Sequence, residues 1–225
     1  MPSRAGSTFQ PCDRAAVDLT EHCGAGLQLR GDLDPSQDLP LVVLIDDGHH
    51  TTRFDDLGCA VAWLDPWRQP HDTVDELVTR TRSAIGWLLE RPDHGYDNGR
   101  MIVIGRGAGA HLAAMVAVHD PRPAAYVLVS GVYEIDDTGR HDARHLSPLR
   151  LIGASEAECV VAWANDDAAT IRHQGQAWAA TWSMTEWNRP ATAVEVHRPA
   201  DRDLIDELVD PDTPLGAILR RLLAP

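Results

Sequence analysis

The stretch that decides the reading is MIVIGRGAGAHLAA, Met101–Ala114. An apolar run, Met101–Ile104, enters a glycine-rich corner, and residues 108–118 then read as helical, so the local grammar is strand, tight turn, helix. A corner of this kind is the setting of the G-x-S-x-G motif, in which a serine on a sharp turn presents its hydroxyl as a nucleophile. Here the five residues are Gly105, Arg106, Gly107, Ala108 and Gly109. The position that should carry an oxygen carries only a hydrogen.

Around this corner the chain has the make-up of one α/β domain. At 225 residues it is long enough for a full core and too short for two comfortable domains, so a single domain over residues 1–225 is expected, with residues 1–24 as an irregular N-terminal segment. The 34 acidic and 20 basic residues give a formal charge of −14, which repels a phosphate backbone and an anionic membrane surface alike. Neither nucleic acid nor membrane is an expected partner. Every basic residue is arginine; the absence of lysine removes Schiff-base chemistry, pyridoxal-phosphate attachment and a Walker A loop. The arginine-, alanine- and aspartate-rich composition is that of a GC-rich, actinobacterial type of genome. Cys12, Cys23, Cys59 and Cys159 show no C-x-x-C spacing, and the last two lie in apolar runs, as structural thiols of a reducing compartment do. The first residues lack the apolar core of a signal peptide and no stretch has the length of a membrane span, so a cytoplasmic location is expected.

The pattern of elements is alternating. Gly26–Arg30 is the first strand signal, LPLVVLI (Leu39–Ile45) is a continuous apolar run suited to a sheet buried on both faces, and CAVAWLD (Cys59–Asp65) reads the same way. Val74, Leu77, Val78, Ile85 and Leu88 recur at helical spacing behind Asp72 as cap, to about Glu90. Further strands are expected at Ala125–Val129, Val160–Trp163 and Ala193–Val196, with a helix over about 168–182 and a last helix announced by Thr213 and Pro214. Strands alternating with helices imply a doubly wound, mostly parallel sheet.

Four segments together resemble the α/β hydrolases, and within them the kynurenine formamidase and small carboxylesterase branch. LVVLIDDGHH stands where that branch has a strand ending in H-G-G-x-W, GRGAGAHLAAM is elbow-like, VSGVYEI follows the next strand, and HLSPLR is similar to an S-P-L segment. With the tail DELVDPDTPLGAILRRLL the resemblance covers about residues 39–223. It implies an α/β fold with a doubly wound, mostly parallel sheet of the α/β-hydrolase type, reduced in size. It also implies departures at the chemistry. Gly107 stands at the nucleophile's place, Asp46-Asp47-Gly48 at the oxyanion segment, and Asp201 of ADRDLIDEL at the triad histidine's place. Only the acid has a counterpart, at Asp167 or its neighbour Asp166. Because a triad needs nucleophile, base and orienting group, two of three are missing, and an ordinary serine hydrolase is excluded.

Competing readings attach to the same residues. G-R-G-A-G-A also satisfies the dinucleotide fingerprint, but the acid expected about 20 residues on is absent, and glycines that let helix pack closely on strand explain it better. Asp46, Asp47, His49 and His50 follow a strand's carboxyl end; their ligand types suit zinc, manganese or iron, against the alternative of a solvated loop. No cofactor is expected otherwise. Arg106 is placed to balance Asp46, Asp47 or Asp201, or to clamp an anion. His111 is read as packing and hydrogen bonding, Trp63 and Trp163 as core, and Trp67 as a pocket wall. Ser130 and Ser147 are the nearby hydroxyls to weigh as substitute nucleophiles, neither with an evident histidine base.

The resulting expectation is a hydrolase pocket re-equipped for acid/base chemistry of isomerase, cyclase or lyase type on a small organic substrate, in specialised metabolism. Asp46, Asp201 and Asp167 are the catalytic candidates, since crowded carboxylates divide into an acid and a base. Asp47, His49, His50, Arg106, Gly107, Ala108 and Trp67 are the binding candidates. The alternative is a pseudoenzyme that binds a small ligand or a partner subunit, and a homodimer is compatible with either.

Overall fold

A computed structural model describes residues 17–18, 26–30, 38–46, 54, 56–67, 72–91, 95–135, 141–186, 188–197 and 203–225. Its centre is an eight-stranded sheet of order β1-β2-β4-β3-β5-β6-β7-β8. The strands are β1 (Val17–Asp18), β2 (Gly26–Arg30), β3 (Leu39–Ile45), β4 (Ala60–Asp65), β5 (Tyr96–Arg106), β6 (Ala125–Val129), β7 (Glu158–Ala164) and β8 (Thr192–Val196). From β4 to β8 the pairings are parallel, and β2 joins β4 antiparallel. The segment expected to be irregular contributes an edge strand, Val17–Asp18 opposite Leu29 and Gln28. Two residues carry no periodicity for a sequence reading to find.

The apolar runs are continuous because both faces of the sheet are covered. Alternate residues of a strand point to opposite faces. Leu41, Val43 and Ile45 of β3 accordingly join one core, with Val103 of β5, Leu128 of β6 and Val161 of β7. Helices α1 (Val74–Leu89), α2 (Ala108–Ala117) and α3 (Ala169–Met184) supply residues to that core. Val42 and Leu44 join the other, with Ile104, Val127 and Ala162, against α4 (Leu204–Val209) and α5 (Pro214–Leu223). In the first core Tyr133, Trp178 and Trp182 stack in sequence at centroid separations of 5.0 and 5.9 Å. The Trp178 indole N–H donates to Cys159 Sγ at 3.4 Å. Cys59 and Cys159 are buried, and burial pushes the Cys159 thiol up to about 12, far from thiolate chemistry at neutral pH. Cys12 and Cys23 lie outside the described residues.

Two expectations are corrected by local geometry. The cap of α1 is Thr73, not Asp72: the Thr73 hydroxyl accepts from the Glu76 N–H at 3.3 Å, and Glu76 Oε2 accepts from the Thr73 N–H at 2.7 Å. This reciprocal box satisfies two orphan donors, and it leaves Asp72 to pair with Arg80 at 2.7 Å. Trp63 is only half-buried in β4, and its indole N–H donates to the Asp46 carbonyl at 3.1 Å, whereas Trp163 is in the core as expected. Helix α5 begins as read, with Thr213 Oγ1 accepting from the Gly216 N–H at 3.0 Å and Pro214 in the first turn. Helix α4 was not foreseen; Asp203 caps it by accepting from the Ile205 N–H at 2.9 Å. No helix of the described residues is long and apolar enough to cross a membrane.

Losing the α1 cap is expected to cost about 1 kcal/mol in Thr73→Ala. Urea unfolding checks this, and Thr73→Ser, which keeps the hydroxyl, should restore most of the loss.

Candidate functional site

The carboxyl ends of β3, β5, β6 and β7 open on a cleft of about 470 Å³, lined by Asp46, Trp67, Arg106, Gly107, Ala108, Ser130, Asp167, Asp203 and Leu204. This is the edge where open α/β sheets build their sites. Sterics make its floor. A Cβ on Gly105 would lie 2.3 Å from the Gly109 carbonyl oxygen, and one on Gly109 would lie 2.0 Å from that of Ile45. Helix α2 therefore lies directly on β5 and β3, and the corner between them is forced to be tight. At its apex Gly107 takes φ 55° and ψ −116°, while its N–H donates to the Val129 carbonyl at 2.9 Å. A Cβ at Gly107 would meet nothing within 4 Å. Conformation favours glycine there; space does not demand it.

Charge fills the rest of the cleft. Arg106 ends β5 and holds Asp203 at 2.7 Å, with Asp46 at 3.8 Å. Of the partners expected for it, Asp46, Asp47 or Asp201, Asp46 is met at the longer distance; the nearer partner is Asp203, the cap of α4, two residues beyond Asp201. Asp203 serves twice, Oδ1 capping α4 and Oδ2 meeting the guanidinium. Asp46 is 3% exposed, just past β3. Asp167 follows β7 in a turn: its Oδ2 accepts from the Ala164 N–H at 2.9 Å and from the Ser130 hydroxyl at 2.6 Å. Asp166, the alternative acid, is exposed. Ser147 does not line the cleft: it is buried, and its hydroxyl accepts from the Ile135 N–H at 3.0 Å.

Of the candidates from sequence, Asp46, Asp167, Arg106, Gly107, Ala108 and Trp67 come together in this cleft. Asp47, His49, His50 and Asp201 lie outside the described residues, so three of the four residues of the metal alternative do as well. Among the described residues no three His, Cys, Asp or Glu side chains converge on a site for a metal ion. Asp203 and the Ser130–Asp167 contact are additions. A signal for the first was present in D-L-I-D, a capping-box spacing at residues 203–206. The second spans two strands and leaves no local trace.

Three-dimensional comparison places this architecture. A thermophilic carboxylesterase cloned from a metagenomic library superposes with a TM-score of 0.69 at 18% identity, over 94% of this chain and 89% of its own. The esterase of Pyrobaculum calidifontis does so with a TM-score of 0.71 at 18% identity, over 88% and 81%. The fold is that of the α/β hydrolases. In sequence the chain is similar to kynurenine formamidase of Salmo salar, 24% identical over 177 residues. That similarity takes in 68% of this chain, and the chain spans 59% of the relative's length. No family model matches. The branch resemblance read from the motifs is thus met by a formamidase in sequence and by esterases in structure.

His111, one turn into α2, is 7% exposed, and its Nδ1 lies 2.8 Å from the Val132 carbonyl, which fixes the proton on that nitrogen. Burial holds the imidazole below its usual range, and the Val132 bond only partly opposes this.

Two predictions follow the geometry of the corner. Gly109→Ala should destabilise the protein by about 3 kcal/mol, the upper end for overpacking, because backbone must move. Gly153→Ala, where a Cβ meets nothing, should be neutral in the same urea titration. For His111 the unfolded chain binds a proton at higher pH than the folded one. Stability is therefore expected to fall as pH drops below about 6.5 and to level off below the folded pKa. His111→Asn, which keeps a donor toward Val132, should flatten that part of the stability-against-pH curve.

Proposed function

We propose that the cleft binds a small organic molecule and acts on it by acid–base chemistry of its carboxylates, not through an elbow nucleophile. The observation that carries this reading is the pairing of a side-chain-free Gly107, with open space above it, and Asp46, Asp167 and Asp203 around the same cleft. Acyl transfer by the usual triad needs a nucleophile, a base and an orienting group. Gly107 supplies no nucleophile, and Asp201 stands where the resemblance expects the histidine.

The remaining groups suit proton transfer. One carboxylate takes a proton from the substrate and a second returns one elsewhere, which is the economy of isomerisation, cyclisation or elimination. Asp46 and Asp167 fill these roles, and Asp201, by its place in the resemblance, is a third candidate acid. Arg106, fixed by Asp203, fixes the orientation of the substrate's polar end, and Trp67 packs against its apolar part. The similarity to a formamidase and to esterases supports a small organic substrate in this cleft without naming it.

The test is conversion of a mixed metabolite pool by the purified protein, followed by liquid chromatography and mass spectrometry. A consumed compound should be spared by about 100-fold or more in Asp46→Asn or Asp167→Asn, the usual size of a general acid or base contribution. Unchanged turnover in both variants overturns the reading. Capture of a ligand in native mass spectra with no conversion points instead to a binding scaffold of the same fold.

A further inference from the structure

The polar groups of the cleft sort into donors and acceptors, and the two sides are unequal. Among the described residues Asp46, Asp167 and Asp203 bring three carboxylates to it, against the single guanidinium of Arg106. That guanidinium is shared between two of them, Asp203 at 2.7 Å and Asp46 at 3.8 Å. Three further donors are committed within the protein. The Gly107 N–H goes to the Val129 carbonyl at 2.9 Å, the Ser130 hydroxyl proton to Asp167 Oδ2 at 2.6 Å, and the Trp67 backbone N–H to Asp65 Oδ1 at 3.0 Å. What else stands on the positive side is the first turn of α2 at Ala108, a helix end worth about half an elementary charge. Half a charge does not close the gap. Acceptors, by contrast, stand open. Both hydrogen bonds that Asp167 accepts among the described residues fall on Oδ2, from Ser130 and from the Ala164 N–H, so Oδ1 keeps its lone pairs for the cleft. With its proton committed, Ser130 Oγ meets a ligand as an acceptor. Room is available beside them, because a Cβ at Gly107 would meet nothing within 4 Å.

We infer that the ligand of this cleft is a small organic cation: an ammonium group on an aliphatic or aromatic body, without a carboxylate of its own. The inference rests on the reading that this cleft holds a small organic molecule, and it names the class of that molecule. An ammonium is all donor, which matches Asp167 Oδ1 and Ser130 Oγ. Trp67 lines the same space and supplies an indole, the best aromatic partner for a cation, while Leu204 meets the apolar body. Arg106 is left to orient a neutral acceptor on the same molecule. An anion finds the opposite. To reach Arg106 it must share the guanidinium with Asp203 and Asp46, and beside Asp167 it faces a like charge. The formal charge of −14 acts in the same direction at long range, drawing cations to the surface and slowing the approach of anions.

Titration calorimetry of the full chain with matched probes tests this. One set is phenethylamine, phenethyl alcohol and phenylacetate; the other is butylamine, butanol and butyrate. Within a set only the charged end changes. At least one amine is expected to bind about tenfold or more tighter than its alcohol, the size of one charge-assisted hydrogen bond, and its carboxylate should bind more weakly still. Asp167→Asn keeps an oxygen for Ser130 and Ala164, and it should reduce the amine's advantage to within about twofold. Asp212→Asn removes the same charge from an exposed turn, and the advantage should persist. Amines that bind no tighter than their alcohols, a carboxylate that binds tightest, or an advantage that survives Asp167→Asn or is lost in Asp212→Asn overturns the inference. The two readings fail separately. Amine binding with no metabolite converted keeps the cation site and removes the catalysis. Conversion of a neutral or anionic compound that is lost in Asp46→Asn, with no amine preference, removes the cation and leaves the acid–base function standing.

Discussion

The close approach of α2 to the Ile45 carbonyl is the constraint on which the rest depends. With no Cβ at Gly105 or Gly109, helix and strands come to backbone contact, and the chain between β5 and α2 must reverse within one residue. That reversal places Gly107 at an apex, aims the first turn of α2 into the cleft, and brings the ends of β3, β5 and β6 within reach of one ligand. A bulkier packing would lift the helix and open the floor. The glycines are thus a matter of sterics, and they hold the hydrolase geometry whether or not the apex residue carries a side chain.

Electrostatics organises what sterics leaves open. Arg106 is flanked by Asp203 and Asp46, so the cation of the cleft is held between a helix cap and a strand end. Through Asp203 the second core's helices, α4 and α5, are tied to the corner built by the first core. One side chain then couples the two faces of the sheet at the point where chemistry would occur. A half-buried ion pair at the mouth of a cleft, still partly screened by water, contributes little stability by itself. Its value is positional, because a guanidinium pinned on two sides presents its remaining donors in a fixed direction.

The sheet was legible in the sequence where burial on both faces made the signal continuous. LPLVVLI, AYVLV and the run around Val160 announced β3, β6 and β7 within a residue or two. The fringes were not: β1 is two residues long, and Asp97–Arg100 near the start of β5 are polar or small and only partly buried. The candidate site divides in the same way. Residues that follow a strand end, Asp46, Trp67 and Gly107, were readable because topology alone brings such positions to one edge. The Ser130–Asp167 hydrogen bond was not, because it depends on the register of two neighbouring strands and on a backbone angle, and neither has a local signature. Glu76, by contrast, was visible three residues after Thr73, but Asp72 competed as a cap and was better used on Arg80.

Backbone strain is divided unequally between the two adjacent turns of the cleft. A left-handed residue with a side chain costs about 1 kcal/mol or more, and such costs persist where surrounding structure or function requires them. At the elbow apex this chain has removed the cost: Gly107 takes φ 55° freely. At the adjacent strand end the cost is retained, since Ser130 takes φ 49° although Gly131 follows it immediately. In that conformation the Ser130 hydroxyl donates to Asp167 Oδ2 at 2.6 Å, so the strained turn holds a carboxylate of the cleft in place. The strained residue with a side chain in this cleft thus stands at the end of β6, where its hydrogen bond orients Asp167.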